Sequence, residues 1–205
     1  MGAARGRFIA FEGGEASGKS TQAARLAERR DALLTREPGG TRLGEVARGL
    51  LLDPELPDLS PRAEALLFAA ARAQHVAEVI APALAAGRDV VCDRFAASSF
   101  AYQSFGRGLP LDEVRALSSF AVDGRWPDLN VLLVVPADLA DARLGERDRL
   151  ERAGHAFHRR VAEGFESLAA SEPDLWVRID AAGSIDEVAR LVDAAVDVRL
   201  GGPAP

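Results

Sequence analysis

Short apolar runs alternate along the chain with longer stretches in which apolar residues recur every three to four positions. The short runs are mostly apolar on both faces, which is typical of strands buried within a parallel sheet, and the longer stretches predict helices that cover it. The predicted fold class is therefore α/β. Five parallel strands are predicted, at residues 8–12, 32–35, 89–93, 130–135 and 176–180.

The longest helical pattern begins at Ser60 and Pro61. Serine is a favoured N-cap residue, and proline is well tolerated at the first helical position. We expect this helix to run to about Ala86 and to bend near Pro82, because a proline inside a helix removes one backbone hydrogen bond. Its core positions are predicted to be Leu66, Ala69, Ala73, Val76 and Ile80.

One face of the same helix carries candidate chemistry. Phe68, Arg72 and His75 are spaced at i, i+4 and i+7, so that an aromatic ring and a guanidinium share this face. Phe68 is also compatible with an ordinary core position, although the arginine one turn away favours a binding role. His75 is interpreted as a helix-face residue and is assigned no chemistry.

Length and composition narrow the class of protein. With 205 residues, we expect a single domain over residues 1–205. The formal net charge of -6 gives no overall basic field, which argues against a nucleic acid as the main partner. Cys92 is the only cysteine and is expected to be a small buried hydrophobe, which excludes an internal disulfide. The single cysteine also favours a reducing, cytoplasmic setting. No apolar stretch approaches the length of a membrane span, so we expect a soluble protein.

A phosphate-binding motif lies between the first predicted strand and the helix that follows it. Residues Gly13 to Ser20 match the pattern G-x-x-x-x-G-K-[ST]. The glycines allow consecutive backbone N–H groups to point at one phosphate, and the helix N-terminus adds a partial positive charge. Lys19 is then expected to contact the β- and γ-phosphates, and the Ser20 hydroxyl to coordinate Mg²⁺. The alternative is a glycine-rich turn with an incidental lysine.

Charged residues follow the second and third predicted strands. Arg36 lies in TREPGGT and can reach the crevice at the carboxyl edge of the sheet. Asp93 and Arg94 close the third strand, where an acid can hold Mg²⁺ through water and an arginine can bind a second phosphate. A surface ion pair between Asp93 and Arg94 is the simpler alternative. The arrangement indicates a nucleotide kinase with a donor and an acceptor site.

Five segments of the chain resemble the thymidylate kinase family of P-loop nucleoside monophosphate kinases and come in the order of that family. They are FEGGEASGKST, TREPGGT, LLFAAARAQHV, DRFAASSFAYQ and WPDLNVLL. They span nearly the whole chain. The resemblance implies a three-layer P-loop NTPase fold with a five-stranded parallel sheet, a small lid at about residues 143–157, and a homodimer. It also implies transfer of the γ-phosphoryl group of ATP to dTMP, with Mg²⁺, as a step of dTTP biosynthesis.

The resemblance also implies roles for single residues. Phe68 resembles the ring that stacks on thymine, Arg72 the donor to a thymine carbonyl, and Glu12 the acid near the sugar 3′-hydroxyl. The implied acceptor contacts are Glu12, Arg36, Phe68, Arg72, Arg94, Ser98, Ser99, Tyr102 and Gln103. The implied ATP contacts are Gly13, Gly14, Glu15, Ala16, Ser17, Gly18, Lys19, Ser20, Thr21 and Arg143. The implied catalytic residues are Lys19, Arg36, Arg94 and Arg149, and the implied metal ligands are Ser20 and Asp93. Ser98 and Ser99 could equally cap the next helix.

The lid is expected to supply a catalytic arginine, because the interior of the phosphate loop contains no basic residue. Asp148-Arg149-Leu150-Glu151 resembles the lid motif of the family, so Arg149 is the predicted residue, with Arg147 and Arg152 as alternatives. The chain departs from the family in two places. The segment between Lys19 and Thr35 is short, and Val134 stands where many relatives carry an aspartate.

Two other functions stay open at this point. One is a kinase for another nucleoside monophosphate or for a deoxynucleoside. The other is a nucleotide-dependent switch that hydrolyses ATP only to change partners. The dependence of ATP consumption on the acceptor would separate both from dTMP phosphorylation.

Overall fold

The computed structural model describes residues 5–56, 59–136, 139–140 and 149–202. At its centre is a five-stranded parallel sheet in the order β2-β3-β1-β4-β5. The strands are β1 (Phe8–Glu12), β2 (Leu33–Arg36), β3 (Val90–Asp93), β4 (Leu129–Val134) and β5 (Trp176–Asp180). All five predicted strands are confirmed, with ends that differ from the predicted ones by at most one residue.

Helices cover both faces of the sheet. They are α1 (Lys19–Arg30), α2 (Arg42–Leu52), α3 (Pro61–His75), α4 (Ala81–Ala85), α5 (Ala96–Ser99), α6 (Leu111–Val122), α7 (His155–Ser171) and α8 (Ile185–Leu200). Two π-helical turns, Val76–Ile80 and Phe100–Gly106, continue α3 and α5, and a 3-10 turn, Glu151–Ala153, precedes α7. Apolar residues of α1 and α8 pack on one face of the sheet, and those of α4, α6 and α7 pack on the other. The architecture is therefore the predicted three-layer α/β fold.

Strand β2 departs from the predicted pattern of burial on both faces. It lies at the edge of the sheet, and its residues alternate between partly buried and exposed. Leu34 is 48% exposed. The helical layers cover only one face of this edge strand, which leaves the other face open to solvent.

Helix α3 begins where the sequence predicts, but its continuation is not a regular α-helix. Ser60 accepts a hydrogen bond from the Ala63 amide at 3.2 Å, as an N-cap residue does. The helix then widens into the π-helical turn Val76–Ile80 before Pro82, whose missing N–H removes a helical hydrogen bond. Of the predicted core positions Ala69, Val76 and Ile80 are buried and Ala73 is half-buried. The prediction for Leu66 is wrong: it is 57% exposed, on a face of α3 that no described element covers.

The strand order places a crevice at one point of the sheet. After β1 the chain forms β2 at the edge of the sheet and then returns to place β3 between them, whereas β4 lies on the other side of β1. The carboxyl ends of β1 and β3 therefore lie side by side. Open α/β sheets bind ligands where the direction of winding changes in this way. The phosphate loop follows β1 and Asp93 closes β3, so both reach the same crevice. Among the described residues, no helix is both long enough and apolar enough to cross a membrane.

Candidate active site

The phosphate loop has the backbone geometry that its sequence predicts. Gly13 has a φ of 141°, and a Cβ atom there would lie 2.4 Å from the Leu133 carbonyl oxygen, so only glycine fits. Lys19 folds back over the loop, with Nζ at 2.5 Å from the Gly14 carbonyl oxygen and 3.2 Å from Ser17 Oγ. Burial, together with the charge of Arg94, lowers the pKa of Lys19 to about 8. The lysine is thus held at the centre of the loop, where a phosphate group is expected.

Ser20 and Asp93 form the candidate metal site. Ser20 Oγ lies 2.5 Å from Asp93 Oδ2, and Asp93 Oδ1 is buried without a hydrogen-bond partner among the described residues. An unpartnered buried carboxylate oxygen beside a hydroxyl suits a hard divalent cation. Mg²⁺ commonly takes only one or two protein ligands and completes its shell with water and phosphate. The side chains present therefore fit the predicted Mg²⁺.

A charged network joins the phosphate loop to the acceptor side. Arg94 Nη2 donates to Glu15 Oε1 at 2.6 Å, and the Tyr102 hydroxyl donates to the same oxygen at 2.5 Å. Burial alone would raise the pKa of Glu15, but the charges of Arg94 and Lys19 outweigh it and hold this pKa at about 2. Glu15 is therefore a carboxylate that positions Arg94 and Tyr102.

Arg94 is also held by the backbone of the phosphate loop. Its Nη1 donates to the Gly13 carbonyl oxygen at 3.0 Å, and the residue has a φ of 66°, in the left-handed region. Non-glycine residues in this region often mark functional positions. Asp93 and Arg94 thus contact Ser20 and Glu15, respectively, which excludes the surface ion pair that the sequence left open.

Glu12 ends β1 and is fully buried. Its Oε1 accepts from the amides of Phe95 at 3.0 Å and Ser98 at 3.3 Å, and its Oε2 accepts from Ser98 Oγ at 2.6 Å. Burial dominates over these hydrogen bonds and raises the pKa of Glu12 to about 7. Ser98 is therefore a partner of Glu12. Neither Ser98 nor Ser99 caps a helix, since both lie within α5 and Phe95 is its N-cap residue.

Arg72 and Gln103 lie at the far end of the same cleft, and both are buried. Arg72 Nη2 donates to Ser99 Oγ at 3.0 Å, and its Nε donates to Glu37 Oε2 at 2.8 Å. Gln103 Nε2 donates to Glu64 Oε1 at 3.0 Å. Phe68 is half-buried and lines the cavity. The predicted acceptor-base residues are therefore brought together.

Arg36 is the most exposed of the predicted site residues on the acceptor side. About half of its side chain is accessible, and its Nη2 pairs with both oxygens of Glu45 at 3.0 and 3.1 Å. Glu45 Oε1 also accepts from the Gly40 amide at 3.0 Å, and this hydrogen bond lowers the pKa of Glu45. Arg36 is thus tethered where it lines the cleft, at the carboxyl end of β2 and in register with Asp93 of β3.

The predicted lid lies only partly within the described residues. Arg143 and Arg147 fall outside them, and Arg152 lies in the 3-10 turn Glu151–Ala153. Arg149 is buried, with Nη2 at 2.7 Å from Glu64 Oε2 and Nε at 2.8 Å from the Leu51 carbonyl oxygen. In this structure Arg149 is therefore bound to Glu64 of α3 and to the Leu51 carbonyl of α2, and it does not contact the phosphate loop. Its predicted catalytic role stays a prediction.

Sequence reasoning missed two residues that organise the site, Glu37 and Glu64, and it named His75 only as a helix-face residue without a role. Glu64 is fully buried and pairs with both Arg107 and Arg149, and these partners, with Gln103, hold its pKa low against the effect of burial. A signal for Glu64 was available, because it precedes Phe68 by four residues and so shares its helical face. Glu37 lies within TREPGGT but was not distinguished from its neighbours.

One continuous cavity of about 990 Å³ connects these parts. This volume is at the upper end of the range for small-molecule sites, about 300 to 1,000 Å³. The lining residues include Lys19, Ser20 and Thr21 at one end, Arg36, Asp93 and Arg94 in the middle, and Phe68, Arg72, Ser99, Tyr102 and Gln103 at the other. The cleft can therefore hold a nucleoside triphosphate and a second, base-bearing ligand at once.

Comparisons with known proteins identify the family of the chain. The family model described as thymidylate kinase matches residues 11–192. A thymidylate kinase of Synechococcus sp. (strain JA-2-3B'a(2-13)) is 52% identical over 200 residues, covering 94% of this chain and 95% of the relative. One from Trichlorobacter lovleyi is 45% identical over 210 residues, covering 96% and 99% of the two chains. The crystal structure of thymidylate kinase from Ehrlichia chaffeensis is similar at a TM-score of 0.79 and 31% identity, covering 94% of this chain and 99% of that one. The chain belongs to the thymidylate kinase family.

Proposed function

We propose that the protein is a thymidylate kinase that transfers the γ-phosphoryl group of ATP to dTMP, giving ADP and dTDP, the precursor of dTTP. The observation that carries this proposal is the single cavity that joins the phosphate loop to the base-binding residues of α3 and α5. A hydrolytic switch needs no second base-bearing site, whereas a nucleoside monophosphate kinase does.

The protein's part in the reaction is alignment and charge neutralisation, because phosphoryl transfer needs little covalent chemistry from the enzyme. Lys19 and the backbone N–H groups of the phosphate loop hold the donor phosphates. Arg94 and Arg36, which both line the cleft, hold the acceptor phosphate. Ser20 and Asp93 are the residues that would hold Mg²⁺, which when bound would neutralise charge on the phosphate oxygens.

The remaining side chains orient the acceptor nucleoside. Phe68 stacks on the thymine ring, and Arg72 donates to a thymine carbonyl. Glu12 faces the 3′-hydroxyl of the sugar, and Tyr102 closes the space that a ribose 2′-hydroxyl would need. Tyr102 is fixed for this by its hydrogen bond to Glu15 and by Arg94, whose guanidinium carbon lies 5.1 Å from the ring centroid. These assignments rest on family resemblance. The common cavity supports those of Phe68, Arg72 and Tyr102, which line it, whereas Glu12 is fully buried beneath it and rests on the resemblance alone.

We also propose that the chain is one domain whose lid, at about residues 143–157, brings an arginine to the transferring phosphoryl group. The lid would exclude water from the cleft as it closes. Arg149 is the first residue to test, followed by Arg147 and Arg152. Arg143 is assigned to the adenine ring of ATP.

A homodimer in the cytoplasm completes the proposal. The family resemblance implies a dimer formed by helix faces, and large apolar side chains are exposed on two neighbouring helices. Phe120 on α6 is 87% exposed, and Leu66 on α3 is exposed as well. Arg62 of α3 pairs with Glu113 of α6, so the two helices that carry these exposed residues lie side by side. The free, buried Cys92 is compatible with a reducing compartment.

An acceptor panel tests the function. ADP release from ATP and Mg²⁺ is measured without acceptor and with dTMP, dUMP, dCMP, dGMP, AMP or thymidine. We expect rapid release only with dTMP and slower release with dUMP, which lacks the thymine methyl group. ADP release that no acceptor changes would favour a hydrolytic switch, and release highest with another acceptor would identify a different kinase.

A further inference from the structure

We infer that Glu37 and His75 are positioning residues that orient the guanidinium of Arg72 for selection of the acceptor base. This inference rests on the proposed function, since it assigns a role to the surroundings of the proposed acceptor pocket. It concerns a buried network that joins the loop after β2 to one face of α3. The network is formed by Thr35, Glu37, His75, Arg72 and Ser99.

Glu37 uses both carboxylate oxygens on α3. Its Oε2 accepts from Arg72 Nε at 2.8 Å, and its Oε1 lies 3.0 Å from His75 Nδ1. Arg72 and His75 are three residues apart and so lie on the same helical face. The backbone of Glu37 is also fixed, because its amide donates to the Asp93 carbonyl oxygen at 3.0 Å. Glu37 thus ties two elements together, because its carboxylate binds α3 and its amide binds the end of strand β3.

His75 is fully buried and constrained on both nitrogens. A carboxylate can only accept, so Nδ1 donates to Glu37, while Nε2 lies 2.7 Å from Thr35 Oγ1. Gly40 packs directly on the ring, since a Cβ atom there would lie 2.7 Å from both Nε2 and Cδ2. The imidazole therefore cannot rotate without displacing the loop. His75 acts on the site through Glu37 and does not itself line the cavity.

These contacts leave one end of Arg72 free for a ligand. Nε is engaged by Glu37, and Nη2 donates to Ser99 Oγ and to the Phe95 carbonyl oxygen at 3.0 and 3.3 Å. The guanidinium carbon lies 5.4 Å from the centroid of the Phe95 ring, which supports the plane of the group. Nη1 makes no hydrogen bond to a described residue, and Arg72 lines the cavity. Nη1 is therefore the donor that is presented to the acceptor base.

Fixing this donor has a consequence for base selection. Thymine offers a carbonyl oxygen at position 4, whereas cytosine carries an amino group there. A rigid N–H donor can donate a hydrogen bond to the thymine carbonyl oxygen. With cytosine it faces the amino group, another donor, which is strongly unfavourable in a buried site. If Arg72 were free to turn away, this discrimination would weaken. The network should therefore determine the preference for dTMP over dCMP as well as the affinity for dTMP.

The test compares Glu37→Gln, His75→Phe and His75→Asn with the wild-type protein in steady-state kinetics. Glu37→Gln and His75→Phe are expected to raise the KM for dTMP by about two- to tenfold, the cost of ordering one loosened side chain. The KM for ATP and the kcat should change by less than about twofold. The preference for dTMP over dCMP, as a ratio of kcat/KM values, should fall. His75→Asn retains a donor for Glu37 and should restore most of the wild-type behaviour.

Asp89→Asn is the matched control, because Asp89 also pairs with a buried arginine, Arg30 at 3.0 Å, but at the opposite end of the sheet. It should lower the unfolding midpoint without changing the KM for dTMP or the base preference. A Glu37→Gln protein that unfolds earlier but keeps both values would overturn the inference, as would equal rises in the two KM values. If Glu37→Gln fails to fold, the histidine variants decide. The inference is then overturned if His75→Phe and His75→Asn have the same KM for dTMP and the same base preference. Failure of the wild-type protein to form dTDP would instead contradict the proposed function.

Discussion

Arg149 and Glu64 form a buried ion pair, with Nη2 at 2.7 Å from Oε2, that connects the end of the proposed lid to the acceptor helix α3. The same carboxylate accepts from Gln103, a proposed contact of the acceptor base. The lid and the base pocket therefore share one buried anion.

Substitution of the lid arginine should affect the chemical step. If Arg149 engages charge that develops only during transfer, Arg149→Ala will lower kcat and kcat/KM together by about a hundredfold or more, with nearly unchanged KM values. Steady-state kinetics with varied ATP and dTMP measures this. Loss of activity in Arg147→Ala or Arg152→Ala instead would identify a different lid arginine. Normal turnover in all three variants and in the triple variant would contradict a catalytic lid.

The phosphate-loop lysine provides the simplest test of donor binding. Lys19→Ala should abolish phosphoryl transfer, because the donor phosphates lose their only charged contact within the loop. The fold should survive, since within the described part of the chain the hydrogen bonds of Nζ go only to Gly14 and Ser17 of the same loop. Product formation and the circular dichroism spectrum are measured on the same sample. A folded Lys19→Ala protein that keeps its activity would remove the basis for the phosphate-loop assignment.

The base-binding residues should act on one substrate only. Phe68→Ala and Arg72→Ala are expected to raise the KM for dTMP much more than the KM for ATP. Base stacking on an aromatic side chain is worth about 1 to 3 kcal/mol, which corresponds to a rise of about five- to 150-fold for Phe68→Ala. Kinetic measurements with each substrate varied in turn test this. Equal effects on both substrates would show that Phe68 is an ordinary core residue.

Glu12 should make folding stability depend on pH with a defined sign. Its pKa is about 7 in the folded protein and near the ordinary 4.5 in the unfolded chain, so the folded state binds its proton more tightly. The protonated Glu12 therefore contributes fully to the free energy of unfolding below about pH 4.5. This contribution, about 3 kcal/mol, is lost as the pH rises from there through 7. In Glu12→Gln this loss is absent, so its unfolding free energy relative to the wild type should rise across that interval. Chemical denaturation of both proteins between pH 4.5 and 8 measures the difference, and a constant difference would refute the assignment.

Local motifs explain why part of the site was predictable. Lys19, Ser20 and Asp93 follow directly from short patterns at the ends of β1 and β3, and parallel strands bring such ends together. The five strands were predictable for a related reason, because burial on both faces requires continuous apolar runs. Leu34 and Leu66 show the limit of that reasoning, since their exposure depends on which neighbouring elements reach them.

The charged networks could not be predicted from local patterns. Glu15 and Arg94 are 79 positions apart in the chain, and Glu64 and Arg149 are 85 positions apart. Their pairing depends on tertiary structure, and a lone acid in a loop or helix is usually a solvated residue. The motif identifies Glu15 only as a position of the phosphate loop, where the backbone binds phosphate. Its side chain has a further role that the motif does not indicate, because it fixes Arg94 and Tyr102.

Transfer of labelled phosphate tests the central claim most directly. The protein is incubated with Mg²⁺, ATP labelled with ³²P at the γ position and unlabelled dTMP, and the nucleotides are separated by chromatography, with Lys19→Ala as the control. We predict that the label appears in dTDP in an amount equal to the ADP formed, and that the control forms none. Release of the label as inorganic phosphate, with no labelled dTDP, would contradict the account.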